Sequence, residues 1–326
     1  MGFGTVGRWL ARALTQRYAD RFQVVALANR RDGFFYREEG VDLSVALEVA
    51  AEGRSLDALP DVARWPTALE GMRATEADVL VEVSQSPPPD GEPGRSHLAE
   101  ALERGIPAVT SNKWPIAIHG VALAETGRRH SASLRAESCV MSGTPVLSTL
   151  SEGLAGASPL AIRGVLNASA NYILSEMEQG ESYADALAAA QQKGLAERDA
   201  SADVDGHDAV AKAMVLSGLI MGRQLRLEDV RRTGISSVTD AAMSEALADG
   251  QRIREVTTVD DSGARVEPLV LPVDDPLARI EGTNNAVICR VEPLGEVMVV
   301  GPGAGPELAG QGVLSDLLAR TSVRPR

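Results

Sequence analysis

The 326-residue chain has little positive charge and few aromatic residues. Asp and Glu outnumber Lys and Arg by 45 to 32, which gives a formal net charge of −13. This balance argues against a nucleic-acid partner, because such proteins need a basic surface. Phe, Trp and Tyr make up 3% of the residues, so we expect a core built mainly from Ala, Leu and Val.

Signals for export, membrane insertion and metal binding are also missing. No apolar run is long enough to span a membrane, and no signal peptide opens the sequence. Cys139 and Cys289 are the only cysteines, and without an export signal we expect both to be reduced in a cytoplasmic protein. The four histidines lack metal-ligand spacing, which argues against a zinc or iron site.

Lysine is rarer still, and its positions are informative. Lys113, Lys193 and Lys212 stand against 29 arginines. A GC-rich genome or a salt-adapted proteome explains the scarcity, but it does not explain where the remaining lysines lie. Lys113 follows a predicted strand. Lys212 lies four residues after Asp208, so Asp208 and Lys212 would share one face of a helix. Alone, the position of Lys113 is a weak signal, because most lysines are solvated, and the Asp208–Lys212 spacing fits a surface ion pair equally well.

The chain opens on a glycine fingerprint for a dinucleotide. Residues 2–7 are GFGTVG, and G-x-G-x-x-G belongs in the turn between the first strand and first helix of a Rossmann domain. A helical pattern follows the motif, but one methionine stands where the first strand should precede it. We expect either that the natural protein begins several residues earlier, which we favour, or that the sheet tolerates a slot at its centre.

Strand and helix patterns alternate through the first half of the chain. The predicted strands lie at 23–28, 78–83 and 107–110, and such apolar runs between helices are typical of a parallel sheet covered on both faces. The sequence therefore predicts an α/β fold with a Rossmann-like doubly wound sheet over residues 1–135. A second, α+β domain is predicted over 136–305, with strands near 160–167, 265–271, 286–292 and 296–300 and helices near 170–179, 183–193 and 206–222. A C-terminal helix over about 306–326 is expected to return to the first domain.

The residues after the first predicted strand suit a phosphate. Asn29, Arg30 and Arg31 include no acid that would bind a ribose 2′-hydroxyl, and arginines there suit a 2′-phosphate. The pattern predicts NADP rather than NAD. A solvated turn would give the same pattern, because nearly all basic residues of this chain are arginine.

Several motifs, taken in order and spacing, resemble homoserine dehydrogenase along nearly the whole chain. They are GFGTVG at 2–7, TSNKWP at 110–115, RAESCVMSGTP at 135–145, NYIL at 171–174, GLAERDASADVDGHDAVAK at 194–212, GTNNAV at 282–287 and GPGAG at 301–305. Two of the three lysines fall on the family's two active-site lysine positions. The resemblance implies NAD(P)-dependent interconversion of L-homoserine and L-aspartate 4-semialdehyde by a homodimer whose second domain is catalytic and dimerises.

The resemblance also assigns roles to individual residues. Lys212 would give a proton to the aldehyde oxygen, Lys113 would lie beside the nicotinamide and the reacting oxygen, and Asp208 would act with them. The substrate-binding residues would be Glu197, Asp208, Asn167 and Ser169. The cofactor-binding residues would be Gly2, Phe3, Gly4, Thr5, Val6, Gly7, Arg30, Arg31, Ser84, Lys113 and Gly303. A monovalent cation such as sodium would be held largely by backbone oxygens of Glu137, Val140, Ser142 and Thr144.

The chain departs from the family pattern at a few positions. Ser142 and Ala168 stand where glycine is usual, and Ala309-Gly310 replaces a usual Thr-Ala pair. An added methyl at Ala168 would narrow the substrate pocket. These departures leave two alternatives open: a catalytically weak relative that binds a nucleotide or metabolite, and a dehydrogenase for another amino-acid semialdehyde.

Overall fold

The structure is a computed structural model that describes residues 1–320. It divides into two compact units, one formed by residues 1–139 together with residue 305 onward, the other by residues 140–304. The C-terminal helix expected over 306–326 is present over Pro306–Arg320. The remainder of that expected range lies outside the described residues.

The first unit alternates short strands with helices. Its strands are β1 (Ala26–Asn29), β2 (Gly33–Tyr36), β3 (Ala63–Trp65), β4 (Leu80–Glu82), β5 (Ala108–Thr110) and β6 (Leu134–Arg135). Its helices are α1 (Thr5–Arg17), α2 (Leu43–Ala51), α3 (Ala68–Ala74), α4 (Gly94–Glu103), α5 (Lys113–Arg129) and α12 (Pro306–Arg320). The short helix α6 (Ser138–Met141) follows β6 in the chain, and α12 follows the second unit.

Two small sheets make up the strands of this unit. β4, β5 and β6 are parallel, which confirms the Rossmann-like pattern expected from the sequence. β1, β2 and β3 are antiparallel, which the sequence analysis did not expect. The chain reverses at Gly33, whose φ of 100° lies in the region that favours glycine, and the Phe34 and Phe35 side chains are then buried.

Residues Met1–Phe3 occupy the place of the expected first strand. The Ala28 amide donates to the Met1 carbonyl (3.0 Å), and the Phe3 amide donates to the Ala28 carbonyl (2.8 Å). On the other side the Gly2 amide donates to the Val81 carbonyl (3.2 Å). The expectation of a slot at the centre of the sheet is therefore corrected, because residues 1–3 bridge β1 and β4.

Helix α12 packs against α1 within the first unit. The shared core contains Leu10, Ala13, Leu14, Val313, Leu314 and Leu317. Asp316, buried on α12, accepts a hydrogen bond from the Glu137 amide (2.9 Å), and Ser138 Oγ donates to the Ala309 carbonyl (2.7 Å). Burial raises the pKa of Asp316 to about 6. These contacts fix the end of α12 against the segment that follows β6.

The second unit is a six-stranded sheet with helices packed against it. The strands are ordered β12-β11-β7-β9-β10-β8. They are β7 (Ser158–Val165), β8 (Val230–Arg232), β9 (Gln251–Asp260), β10 (Gly263–Pro272), β11 (Asn284–Glu292) and β12 (Gly295–Pro302). The helices are α7 (Ala168–Glu178), α8 (Tyr183–Gln192), α9 (Ser201–Val204), α10 (His207–Leu219) and α11 (Asp240–Ala248).

The sequence analysis missed β9 and α11. The sequence of β9 is QRIREVTTVD, and its charged residues obscure the apolar pattern typical of a buried strand. In the structure Arg254 is 0% exposed and Glu255 is 1% exposed. Arg254 donates to the Ile280 and Ala278 carbonyls (2.8 Å each) and pairs with Glu178. Burying such a guanidinium requires these partners, and they lie far away in the sequence.

Over residues 1–320, no helix combines the length and the apolar character needed to cross a membrane.

Gly310 is a departure from the family pattern that the packing of α12 explains. A Cβ at this position would lie 2.2 Å from Cε3 of Trp9 on α1. The indole therefore needs a glycine opposite it.

We predict that Gly310→Ala lowers the free energy of unfolding by about 1–3 kcal/mol, because the methyl overpacks the helix contact. In a Trp9→Leu background the same change should be neutral or gain up to about 1 kcal/mol, since alanine is the better helix former. Urea unfolding of the four variants measures both effects. An equal effect of Gly310→Ala in the two backgrounds would contradict the packing account.

Candidate active site

The N-terminus of α1 forms the first part of a nucleotide site. Gly4 precedes the helix, no side chain caps this end, and a Cβ at Gly4 would meet no atom within 4 Å. A Cβ at Gly7 would lie 1.8 Å from the Gly2 carbonyl oxygen, so the helix approaches the chain before it as closely as glycine permits. An open turn before a helix N-terminus is the arrangement that binds phosphate groups.

A cavity of about 400 Å³ beside this turn is lined by several arginines. Phe3 and Arg8 come from the first turn, and Arg30, Arg31 and Arg54 come from the segments after β1 and α2. The three later arginines are exposed. An anion would find concentrated positive charge here, in a chain whose net charge is strongly negative.

Asp32 is buried at the edge of this cavity and joins the segment after β1 to the segment after α2. It accepts hydrogen bonds from Arg31 Nε (2.8 Å), Ser55 Oγ (2.9 Å) and the Leu56 amide (3.1 Å). The Arg31 hydrogen bond in particular holds the pKa of Asp32 well below its usual range. An acid therefore does follow β1, but its oxygens are engaged by the protein. The sequence analysis did not name Asp32.

The carboxyl ends of β4 and β5 carry a polar network. Glu82 Oε2 lies 2.6 Å from His97 Nδ1, and Glu82 Oε1 accepts from the Ser84 amide (2.8 Å) and Ser84 Oγ (2.5 Å). Burial opposes ionisation of Glu82, but the His97 and Ser84 hydrogen bonds outweigh it and lower its pKa. Asn112 Nδ2 donates to Ser86 Oγ (2.7 Å), which joins the TSNKWP loop to this network.

Lys113 is half-buried as the first residue of α5. The preceding residue, Asn112, is fixed through its amide, which donates to Thr110 Oγ1 (2.9 Å). The Lys113 charge lowers the pKa of the buried Cys139 thiol, but burial dominates and raises that pKa to about 12. Cys139 is therefore an inert thiol, and Lys113 stands at the end of β5 where the sequence analysis expected it.

The second unit contains a buried lysine with a close counter-charge. Lys212 on α10 is 5% exposed. Its Nζ lies 2.7 Å from Asp208 Oδ2, one helical turn earlier, and donates to the Leu166 carbonyl at 2.5 Å. The pair is thus not a surface ion pair, and the two contacts fix the orientation of the ammonium group.

Asn167 and Ser169 lie at the start of α7, beside this pair. Asn167 caps the helix by accepting from the Ala170 amide (3.0 Å) and donates through Nδ2 to Asp203 Oδ1 (3.2 Å). Ser169 Oγ donates to the Leu195 carbonyl (2.6 Å). Burial, and then the Asp208 charge, raise the pKa of Asp203. These contacts bring four of the expected residues into one cluster: Lys212, Asp208, Asn167 and Ser169.

Asp203 and Glu255 belong to the same cluster, and the sequence analysis named neither as a site residue. Asp203 lies on α9 within the GLAERDASADVDGHDAVAK motif, so its place in a matching motif could have identified it. Glu255 lies on β9, a strand the sequence analysis missed, and no local signal marks it. Its pKa is raised to about 8, first by burial and then by the Asp208 charge.

Other expected residues lie outside this cluster. Glu197 is exposed between α8 and α9, with its carbonyl accepting a hydrogen bond from Gln191 Nε2 (3.2 Å). Gly303 follows β12, where a Cβ would lie 2.1 Å from Cγ of Asn285. The close approach at Gly303 is therefore to a side chain of the protein itself.

Ser142 shows why glycine is usual at its position. Its φ is 51°, a left-handed conformation that side chains rarely adopt. Ser142 Oγ donates to the Gly303 carbonyl (3.1 Å), and Thr144 Oγ1 donates to the Pro302 carbonyl (2.9 Å). These hydrogen bonds offset the backbone strain. Of the two other residues expected at a cation, Val140 is fully buried and Glu137 is buried in the first unit.

Two family models match the chain. The homoserine dehydrogenase model covers residues 145–318, and the model of the homoserine dehydrogenase NAD-binding domain covers residues 2–137. The chain belongs to the homoserine dehydrogenase family. The resemblance inferred from the motifs is confirmed.

Curated members of the family are similar over nearly their whole length. The homoserine dehydrogenase of Methanocaldococcus jannaschii is 34% identical, over 98% of this chain and 96% of its own. The NAD(+)-dependent homoserine dehydrogenase of Pseudomonas canavaninivorans is also 34% identical, over 98% and 94%.

Solved structures of the family share the fold. A putative homoserine dehydrogenase from Archaeoglobus fulgidus superposes with a TM-score of 0.87 at 33% identity, covering 98% of this chain and 97% of its own. A hyperthermophilic archaeal homoserine dehydrogenase in complex with NADPH superposes with a TM-score of 0.84 at 33% identity, covering 100% and 97%. One relative is thus NAD(+)-dependent and another binds NADPH, so membership of the family does not decide between the two nucleotides.

Proposed function

We infer that the chain is an NAD(P)-dependent homoserine dehydrogenase, and we propose that Lys212 exchanges the proton with the reacting oxygen. The observation that carries this role is the buried Lys212–Asp208 pair, which presents an oriented ammonium beside the polar start of α7. A dehydrogenase that moves a hydride to or from carbon needs a group that moves the matching proton to or from oxygen.

The surroundings of Lys212 suit this task. Nicotinamide, when bound, supplies or accepts the hydride. In aldehyde reduction negative charge develops on the substrate oxygen, and an oriented ammonium stabilises that charge and then gives up a proton. In alcohol oxidation the neutral amine takes the proton back. The Leu166 carbonyl and Asp208 hold Nζ in place, so little reorganisation accompanies the reaction.

The acids of the cluster suit the amino end of an amino-acid substrate. We propose that Asp208 binds the substrate ammonium group, with Asn167 and Ser169 lining the same site. Glu197, which is exposed and lies outside the cluster, is proposed as a further substrate-binding residue on the family resemblance alone. Support comes from Asn167, which connects the start of α7 to Asp203, and from the pKa of Asp203, which is raised first by burial and then by the Asp208 charge. An incoming ammonium would offset the negative charge of Asp208.

The first unit suits the nucleotide. We propose that the turn over Gly2, Phe3, Gly4, Thr5, Val6 and Gly7 carries the pyrophosphate, and that Ser84 and Lys113 lie along the nicotinamide. Gly303 is proposed as a further cofactor residue on the resemblance alone. The open space at Gly4 and the uncapped start of α1 support the pyrophosphate assignment. The pairing of Met1–Phe3 with β1 and β4 supports an active enzyme, because these residues fill the position of the first strand beside the glycine turn.

A monovalent cation and a homodimer are proposed from the family resemblance. Carbonyl and carboxylate oxygens, the donor set at Glu137, Val140, Ser142 and Thr144, suit a hard cation such as sodium. Comparing turnover in sodium and tetramethylammonium buffers tests this assignment. A second copy suits the edge strand β12, where Met298 and Val300 are exposed. Sedimentation equilibrium measures that association. The cytoplasmic location remains a prediction.

We predict that Lys212→Ala lowers kcat by about 100-fold or more, the usual contribution of a general acid or base. Lys193→Ala is the matched control, because Lys193 is an exposed lysine that donates to the Tyr172 hydroxyl (2.7 Å). Homoserine-dependent reduction of the nicotinamide, followed by absorbance, measures both. Near-normal turnover in Lys212→Ala with the fold intact removes this lysine from the mechanism.

We propose that NADP binds more tightly than NAD, through Arg30 and Arg31. Arg31 is held by Asp32 and also donates to the Arg54 carbonyl (2.9 Å), so it is positioned before any ligand arrives. Replacing Arg30 and Arg31 with alanine should weaken NADP binding by roughly 10- to 100-fold, the value of a hydrogen bond to a charged group, and leave NAD binding nearly unchanged. Arg17→Ala, at the far end of α1, serves as the control.

Calorimetric titration of the unmodified protein, the double variant and the control with each nucleotide gives the six affinities needed. Equal affinity for NADP and NAD in the unmodified protein contradicts the preference. If the double variant weakens both nucleotides equally, the arginines bind some other part of the cofactor.

A further inference from the structure

Glu255 is a buried carboxyl group that the reaction as described does not use. It lies in the middle of β9 and is 1% exposed. Among residues 1–320, neither of its oxygens has a hydrogen-bond partner. Its neighbour Arg254 is equally buried but is fully occupied by Glu178 and by backbone carbonyls. A polar group left in this state costs free energy, so its presence calls for a reason.

The side chain of Glu255 faces the start of α10. Its Oε2 lies 3.4 Å from the position that a Cβ would take at Gly206, the residue before that helix. Lys212 and Asp208 on α10 and Asp203 on α9 all act electrostatically on it. Glu255 therefore belongs to the cluster around the proposed proton carrier.

The other elements around Glu255 bring few further charges. Arg232 on β8 packs its Cγ 3.5 Å from the same Gly206 position, but its guanidinium donates to the Asp205 carbonyl. On β10 the residue opposite Glu255 is Pro268. Glu178 on α7 is paired with Arg254 and Arg252. Within the described part of the chain, the charged groups that act on Glu255 are Asp203, Asp208 and Lys212.

We propose that Glu255 is a positioning residue that sets the charge state of Lys212, and this rests on the proposed role of Lys212. While Glu255 is neutral, Asp208 is the ion-paired partner of the ammonium, and Lys212 can give up its proton. Once Glu255 ionises, a second negative charge beside Lys212 favours the ammonium and raises the pKa of Lys212. Oxidation of homoserine needs Lys212 as the neutral amine, so the pH at which this activity rises moves to a higher value.

The physical state of Glu255 supports this assignment. Burial, with the Asp208 charge, raises its pKa to about 8, against the opposing effect of Lys212. The carboxyl is therefore neutral at pH 7 and ionises just above it.

The test is the pH dependence of kcat/KM for homoserine oxidation in Glu255→Gln and Glu255→Leu. Both variants remove the ionisable group. The leucine also removes the buried polar atoms, so it keeps the test open if the glutamine variant folds poorly. The alkaline rise should shift to lower pH by on the order of half a unit to one unit in both variants. Glu267→Gln, on the neighbouring strand β10 and partly exposed, should not shift it.

A second measurement follows Glu255 itself. Its native pKa lies above the ordinary value of 4.5, so the native state binds the proton more tightly than the unfolded state between about pH 4.5 and 8. The stability that this group contributes is full below pH 4.5 and is lost as the pH rises towards 8. The stability advantage of Glu255→Gln over the unmodified protein should therefore grow across this range and then level off.

The two measurements separate the possible failures. A growing stability advantage without a kinetic shift overturns the coupling between Glu255 and Lys212. A stability advantage that does not change with pH overturns the neutral state of Glu255. If Lys212→Ala retains full turnover, the proposed role of Lys212 fails, whatever Glu255 does.

Discussion

The second unit depends on the pairing of one buried ammonium. Lys212 can be buried only because Asp208 and the Leu166 carbonyl replace the water it loses. The first contact lies within α10, one helical turn apart, and the second holds the residue after β7 against that helix. The start of α7 follows immediately, so Asn167 and Ser169 arrive at the same place. Arg254 is buried by the same rule, with Glu178 and two carbonyls of the 276–280 segment as its partners.

The first unit depends on a different constraint, the close approach of backbone to backbone. Gly7 lets α1 lie against the residues that bridge β1 and β4, and this leaves the start of the helix open. Positive charge lies beside this open turn, in the cavity where Asp32 holds the Arg31 guanidinium in place. An acidic chain thus concentrates its arginines where an anion would bind. The proposed roles follow this difference, with the cofactor phosphates assigned to the first unit and the proton transfer assigned to the second.

The sequence predicts the parts of this account that depend on local patterns. The fingerprint, the alternation of apolar runs and the lysine at the end of β5 lie in short segments, and the structure has them there. The Asp208–Lys212 spacing predicts the shared helix face but not the burial of the pair. Burial depends on the Leu166 carbonyl, 46 residues earlier.

What the sequence does not predict depends on contacts between distant residues. β9 carries Arg254 and Glu255, which suggest a solvated segment until Glu178 and α10 are placed beside them. Asp32 follows the predicted strand by four residues, but its engagement by Ser55 and Leu56 is invisible locally. Gly310 has the appearance of a chance departure from the family until Trp9 is seen opposite it. In each case the missing information is the identity of the neighbour.

The central claim is that Lys212 moves a proton and does more than supply charge. Lys212→Arg tests it most directly, because a guanidinium keeps the charge and the hydrogen bonds but does not lose its proton in proteins. If the claim is right, kcat for homoserine oxidation falls by about 100-fold or more, while homoserine still binds. If kcat in Lys212→Arg remains close to that of the unmodified protein, Lys212 acts only as a fixed charge and the account of the site is wrong.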